Sequence, residues 1–168
     1  MTEIGNISPR FFARRLSEKD AAAVYALESG NADFFALTFS SPSAESFWEN
    51  LAALPPGKGY KDKYYIGFFD GGRLIAEADL IAGYPDGETA YIGLFMLDKT
   101  RQGAGEGSRL AREIFRFFKE SGYLKVKLGV IEGSEKAAAF WKKNGFAFTG
   151  ERVRKEGYAI AGMIKYLV

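Results

Sequence analysis

The chain contains no cysteine and no histidine. Without thiols there is no disulfide framework, no thiolate nucleophile and no Cys-ligated metal. Without imidazole the commonest general base and the commonest zinc ligand are gone, and with them any Ser-His-Asp arrangement. No run of about 18 apolar residues is available to cross a bilayer, and the opening MTEIGNISPR lacks the apolar core of a signal peptide. A cytoplasmic protein without membrane association is therefore expected. Charge of one sign is not in excess either: 23 basic against 21 acidic side chains leave a net charge of +2, which argues against a nucleic-acid partner.

What is present is 168 residues, 47% of them hydrophobic, enough for one domain with a core of its own. Fifteen Phe, nine Tyr and two Trp favour a packed interior and an aromatic-lined cleft.

Ser17 to Ser29 opens with a capping Ser, continues in good helix formers and stops at Gly30, which predicts a helix. A second helix is predicted from Ser43 to Leu54, with Phe47, Leu51 and Leu54 at helical spacing before Pro55 and Pro56. Tyr64 to Phe69 and Arg73 to Ile81 flank Asp70-Gly71-Gly72 and read as a β-hairpin. Ala90 to Leu97 follows the turn Tyr84 to Thr89 as a largely buried strand. Ser108 to Lys119 carries Leu110, Ile114, Phe117 and Phe118 on one stripe and is an amphipathic helix. Leu124 to Ile131 is the strand after it, completing a parallel crossover. A last helix runs from Glu135 to Asn144 with Gly145 as its left-handed cap, and Phe146 to Val153 with Tyr158 to Leu167 forms a final hairpin.

The chemistry lies between the buried strand and the amphipathic helix, in DKTRQGAGEG. A strand, a glycine-rich turn and a helix N-terminus aim several backbone N–H groups at one point, which suits an anion. Gly103, Gly105 and Gly107 let the backbone approach a pyrophosphate that side chains would hold away. The segment has neither GxGxxG nor Gly-Lys-Ser/Thr, so it is neither the dinucleotide fingerprint nor the P-loop. A plain Gly-rich connection is the bland alternative.

Gln102-Gly103-Ala104-Gly105-Glu106-Gly107 resembles the Q/R-x-x-G-x-G/A signature of the GNAT superfamily of N-acetyltransferases. Ala137 to Phe146 (AAAFWKKNGF) is similar to that family's A-x-x-F-Y-x-K-x-G-F segment, at the family's usual separation. The likeness extends over residues 10 to 168 in element order and is motif-specific from Ala90 to Gly150. It implies an α/β fold: a mixed, mostly antiparallel sheet of six or seven strands with a central splayed parallel pair and about four flanking helices. It also implies that acetyl-coenzyme A binds as co-substrate. The pyrophosphate would sit on the amides of Gln102 to Ser108, and pantetheine would pair with the backbone at Phe95, Met96 and Leu97. Ser134, Ala137, Phe140 and Trp141 would flank the thiol arm, with Ser134, where the family often has Asn, also capping the last helix. Core packing is the other reading of Phe140.

The departures from the family pattern concern proton transfer. Trp141 replaces the Tyr that can protonate the departing thiolate, and an indole N–H donates a hydrogen bond without usefully releasing a proton. Tyr91 fills the place where many members carry a Glu base. An acceptor ammonium, with a pKa of about 10, must still lose its proton. The candidates are Asp79 and Glu77, on one face of the second hairpin strand, and Glu88. Asp79 is favoured as catalytic base, because a mid-strand carboxylate is costly if buried without purpose; an exposed sheet face is the alternative. Tyr91 and Tyr84 would orient substrate or water. Lys142, Lys143, Arg152, Arg154 and Lys155 form a late basic cluster that is either a solvated face or the source of a contact to the coenzyme 3′-phosphate.

The expected reaction is direct acetyl transfer to a primary amine, without metal or covalent enzyme intermediate. Acceptor residues are expected in the loops Asn31 to Pro42 and Leu54 to Lys63, which hold aromatics and few carboxylates. This points to a small-molecule amine of modest charge. A non-catalytic acyl-coenzyme A sensor module is the rival, and a nucleotide-binding regulatory protein a third reading. A homodimer through the C-terminal strands is open.

Overall fold

The computed structural model describes residues 3–38 and 40–168. Met1 and Thr2 of the N-terminal stretch, and Phe39 of the first predicted acceptor loop, lie outside the described residues. In chain order the elements are β1 (Phe12–Arg15), α1 (Ala21–Ser29), α2 (Ala32–Ala36), α3 (Ala44–Ala52), β2 (Lys63–Asp70), β3 (Arg73–Ala82), β4 (Thr89–Leu97), α4 (Glu106–Glu120), β5 (Lys125–Ile131), α5 (Glu135–Lys143), β6 (Ala147–Lys155) and β7 (Tyr158–Tyr166).

The strands form one sheet in the order β1-β2-β3-β4-β5-β7-β6. Every neighbouring pair is antiparallel except β4 and β5. The expected mixed sheet with a central parallel pair is thus observed, with seven strands. Gly71 (φ 57°) and Gly72 (φ 83°) turn the β2–β3 hairpin with two left-handed residues, the geometry that matches the twist of paired strands.

Alternation along the strands assigns their faces. On one face, α1 and α3 cover Leu16, Tyr65, Phe69, Leu74 and Met96 with Val24, Leu27 and Phe47. On the other, α4 and α5 bring Leu110, Ile114, Phe118 and Trp141 onto Ile66, Phe68, Ala78, Leu80 and Ile92. Among the described residues no helix is long and apolar enough to cross a membrane.

Several details differ from the sequence expectations. β1 was not foreseen: in Phe12–Arg15 only Ala13 is buried, so the strand exists through its pairing with β2 rather than through a pattern of its own. α2 interrupts the predicted loop Asn31 to Pro42 and raises the α-helix count among the described residues to five. α4 begins at Glu106, two residues before the expected Ser108, because left-handed Gly105 already serves as its N-cap. Ser134 stands at the N-cap of α5 but makes no side-chain capping hydrogen bond; only its carbonyl takes part, accepting from Ala138 N at 3.1 Å.

Candidate active site

The parallel pairing of β4 and β5 covers only Thr89–Ile92 against Lys125–Leu128. Beyond it the strands part. On the β3 side, the register slips between Asp79 and Leu80, leaving Gly93 as a bulge, and a bulge bends its strand. β5 meanwhile stays paired with β7 as far as Ile131. The edge of β4 from Gly93 to Leu97 therefore faces an open gap. Of Phe95, Met96 and Leu97, the last has its carbonyl taken, by Asn31 Nδ2 (3.1 Å) and Gln102 Nε2 (2.8 Å).

The glycine-rich turn closes the wide end of this gap. Gly103 (φ 89°) and Gly105 (φ 81°) are left-handed, and nothing lies within 4 Å of where a Cβ would stand on either. Among the described residues, no protein oxygen accepts from the N–H groups of Gly103 to Ser108. Unclaimed amides at the positive end of a fifteen-residue helix fit a pyrophosphate. The amide of Gln102 is not among them, since it donates to the Lys99 carbonyl at 3.3 Å. The Gln102 side chain instead fixes the turn, donating to Asn31 Oδ1 at 2.7 Å and accepting from Lys136 Nζ at 3.3 Å. Ala104 is exposed at the tip. The Glu106 carboxylate, which would repel an anion, is held by Arg10 at 2.7 Å.

α5 provides the facing wall. Phe140 stacks on Phe95 with ring centroids 6.0 Å apart, and a Cβ on Gly107 would meet the Phe140 ring at 3.3 Å, so Gly107 lets the two helices close. Buried Ser108 accepts from Asn144 Nδ2 at 3.1 Å, which pins α4 to α5. Phe140 and Ala137 are half-buried beside the core. Trp141 is buried against Phe95, Phe140 and Phe146.

Asp79 lies on the α1 and α3 face at the narrow end of the gap. A Cβ on Gly93 would come within 3.3 Å of its Oδ2. Lys63, only 4% exposed, donates to both carboxylate oxygens at 2.9 Å. Burial raises the Asp79 pKa above the usual range, and Lys63 opposes that rise. Tyr91 is half-buried, its ring edge-on to Tyr84 at 5.5 Å and its hydroxyl 3.5 Å from a Cβ built on Gly129, and burial raises its pKa too. Glu88 is exposed. Glu77 is fully buried, accepting from Tyr65 Oη at 2.6 Å and facing Glu28 of α1. In the late basic cluster, Arg152 pairs with Glu132 and Lys142 lies over the Phe148 ring at 5.0 Å.

Lys63 and Asn31 join this site without having been singled out in the sequence. Their roles depend on partners in other elements, and no local motif marks either residue.

Solved structures share the architecture. An acetyltransferase from Thermus thermophilus superposes with a TM-score of 0.74 at 24% identity, over 94% of this chain and 97% of that one. The ribosomal-protein-S18-alanine N-acetyltransferase from Escherichia coli gives 0.67 at 17% identity, over 94% of both chains. The PaiA N-acetyltransferase from Thermoplasma acidophilum, solved in complex with coenzyme A, gives 0.65 at 19% identity, over 93% of this chain and 98% of that one. No curated protein matches the sequence. The sequence model of the acetyltransferase (GNAT) family matches residues 24–146, most of the chain and all of the stretch from α3 through the glycine-rich turn to α5, and the chain belongs to that family.

Proposed function

We propose that this chain is an acetyl-coenzyme A-dependent N-acetyltransferase that moves an acetyl group directly onto the primary amine of a small molecule. The observation that carries the reading is the continuity of the site: unclaimed amides lead into an open β4 edge, and that edge ends at the Gly93 bulge beside Asp79. The whole chain acts as one acetyltransferase domain, in a cytoplasmic setting. A homodimer would form along the β6 edge, where Phe148 and Val153 are exposed.

The residues divide the work by place. Gly103 to Ser108 hold the pyrophosphate on backbone N–H groups. The β4 backbone at Phe95 and Met96 aligns the thiol arm, and Phe140, Ala137 and Ser134 flank it. The bound thioester supplies an activated acetyl carbonyl. Asp79 accepts one proton from the acceptor ammonium, and the freed nitrogen lone pair forms the new N–C bond as the C–S bond breaks. The second amine proton leaves through solvent and the departing sulfur ends as a thiol, so an ammonium and a thioester become an amide, a thiol and one released proton. A backbone N–H near the bulge holds the carbonyl oxygen as its charge develops. Tyr91 orients the amine or a water beside it.

The second reading, an acyl-coenzyme A sensor without turnover, draws on two observations: both Asp79 oxygens are engaged by Lys63, and Trp141 stands where relatives carry a proton-donating Tyr. Amine-dependent release of free thiol from acetyl-coenzyme A decides between them, and the absence of cysteine keeps the background clean. The transferase releases thiol with a suitable amine. Asp79→Asn lowers kcat/KM by about 100-fold or more, the usual worth of a general base, and Tyr91→Phe by about tenfold. Binding without release from any amine selects the sensor.

A further inference from the structure

Between α3 and the β1–β2 edge lies a cavity of about 420 Å³ on the sheet face that carries Asp79. We propose that it is the acceptor's binding site and that it takes a primary amine bearing a single positive charge on a flat, apolar body. The proposal rests on the transferase reading above and deepens it.

Position is the first argument. Lys63 lines this cavity and at the same time places its ammonium on both oxygens of Asp79. Lys63 thus links the cavity lining to Asp79, which lies next to the Gly93 bulge where the β4–β5 gap begins. α5, the wall of that gap, belongs to the opposite face. Donor and acceptor thus approach the bulge from different sides and do not compete for space. An ammonium arriving through the cavity nears a carboxylate that already holds a cation of the same kind.

The lining is the second argument. Trp48 is 43% exposed and Tyr60 62% exposed, large rings kept out of the core that line the cavity together with Leu51. Tyr60 is tethered by its hydroxyl to the Ala52 carbonyl at 3.2 Å, and Trp48 rests edge-on against Phe47 at 5.5 Å. Two anchored rings offer an apolar body a surface already in place. The volume lies in the range of small-molecule sites, roughly 300–1,000 Å³.

Charge is the third. Among the described residues the Glu18 carboxylate has neither an ion-pair nor a hydrogen-bond partner, and it lines the cavity. It draws an ammonium inward. Arg15, held over the Tyr64 ring at 4.3 Å and donating to the Lys63 carbonyl at 2.6 Å, keeps one positive charge in the same lining. A second cation on the acceptor would face that guanidinium, so a polyamine is disfavoured.

The test measures thiol release with 2-phenylethylamine, spermidine and ethylamine, and separately the calorimetric binding of 2-phenylethylamine to the coenzyme A-loaded protein. The expected result is a kcat/KM for 2-phenylethylamine at least tenfold above either alternative. Trp48→Ala raises its KM about tenfold with kcat and acetyl-coenzyme A affinity unchanged, and Trp48→Phe restores it; Tyr60→Ala acts in the same direction. Both rings are exposed, so these variants keep the fold. A preference for spermidine, or a KM that ignores both substitutions while an amine is acetylated, overturns this proposal and leaves the transferase standing. If no amine is acetylated the transferase reading fails and the acceptor role falls with it; calorimetry then reads the cavity by itself, Trp48-dependent binding of 2-phenylethylamine keeping it as an amine site and no binding overturning that too.

Discussion

Gly105 holds φ at 81° where α4 begins, with open space around its missing side chain. The obstacle to any other residue there is backbone strain, about 1–2 kcal/mol for a left-handed L-residue. Gly105→Ala therefore either lowers stability by that amount or relaxes the turn and scatters its amides. In the second case acetyl-coenzyme A affinity falls roughly tenfold, since about 1.4 kcal/mol is a factor of ten. Calorimetric titration together with a melting curve reads both, and a variant unchanged in each removes Gly105 from the site. The turn at this residue was legible in the sequence because a left-handed entry into a helix is a local demand on neighbouring residues. Asn31 was not legible: it grips Gln102 across 71 positions of chain. Lys63 likewise meets Asp79 across a strand pair, 16 positions away.

At the scale of elements, α1 lies on β3 across a buried pair of carboxyl groups. Glu28 Oε1 and Oε2 and Glu77 Oε1 have no hydrogen-bond partner while both groups are ionised, and a proton shared between them supplies one. Burial first, and Glu28 second, push the Glu77 carboxyl up to about 9; burial raises Glu28 as well. Tyr65 from β2 donates to Glu77, and Asp79 adds a like charge that Lys63 balances. The folded state thus keeps a proton that the unfolded chain releases above the ordinary carboxylate range. Its contribution is full below about 4.5 and lost as pH rises through about 9. Glu77→Gln keeps an acceptor for Tyr65 and removes the titration. Its melting temperature is expected to fall less than that of the wild-type protein across this pH range and to exceed it at the alkaline end, which melting curves at several pH values check. Strands and helices with their own periodicity were readable, as in the stripe Leu110, Ile114, Phe117 and Phe118. β1 and α2 were not, because four and five residues carry too little pattern and hold their form through contacts made elsewhere.

At the scale of the whole molecule, the open β4–β5 gap is stability not yet collected. A ligand that bridges the turn, β4 and α5 binds the folded state alone. At a hundred times its Kd it adds about 2.7 kcal/mol, which for a chain of this size raises the melting temperature by roughly 5–10 °C. Acetyl-coenzyme A is expected to do this, and ATP or NAD at matched concentration to leave the curve in place; protection by ATP or NAD instead favours a nucleotide-binding protein.

Composition and local pattern were enough to exclude cysteine and histidine chemistry, to order most of the elements and to locate the glycine-rich turn. Each of these depends on residue identity or on neighbours within a few positions. The surroundings of Asp79, the burial of Glu77 and Glu28, the anchoring of Gln102 and the aromatic cavity were decided only on folding. They are set by register between strands and by which helix covers which face, and a one-residue slip in that register would turn every side chain concerned to the other side of the sheet.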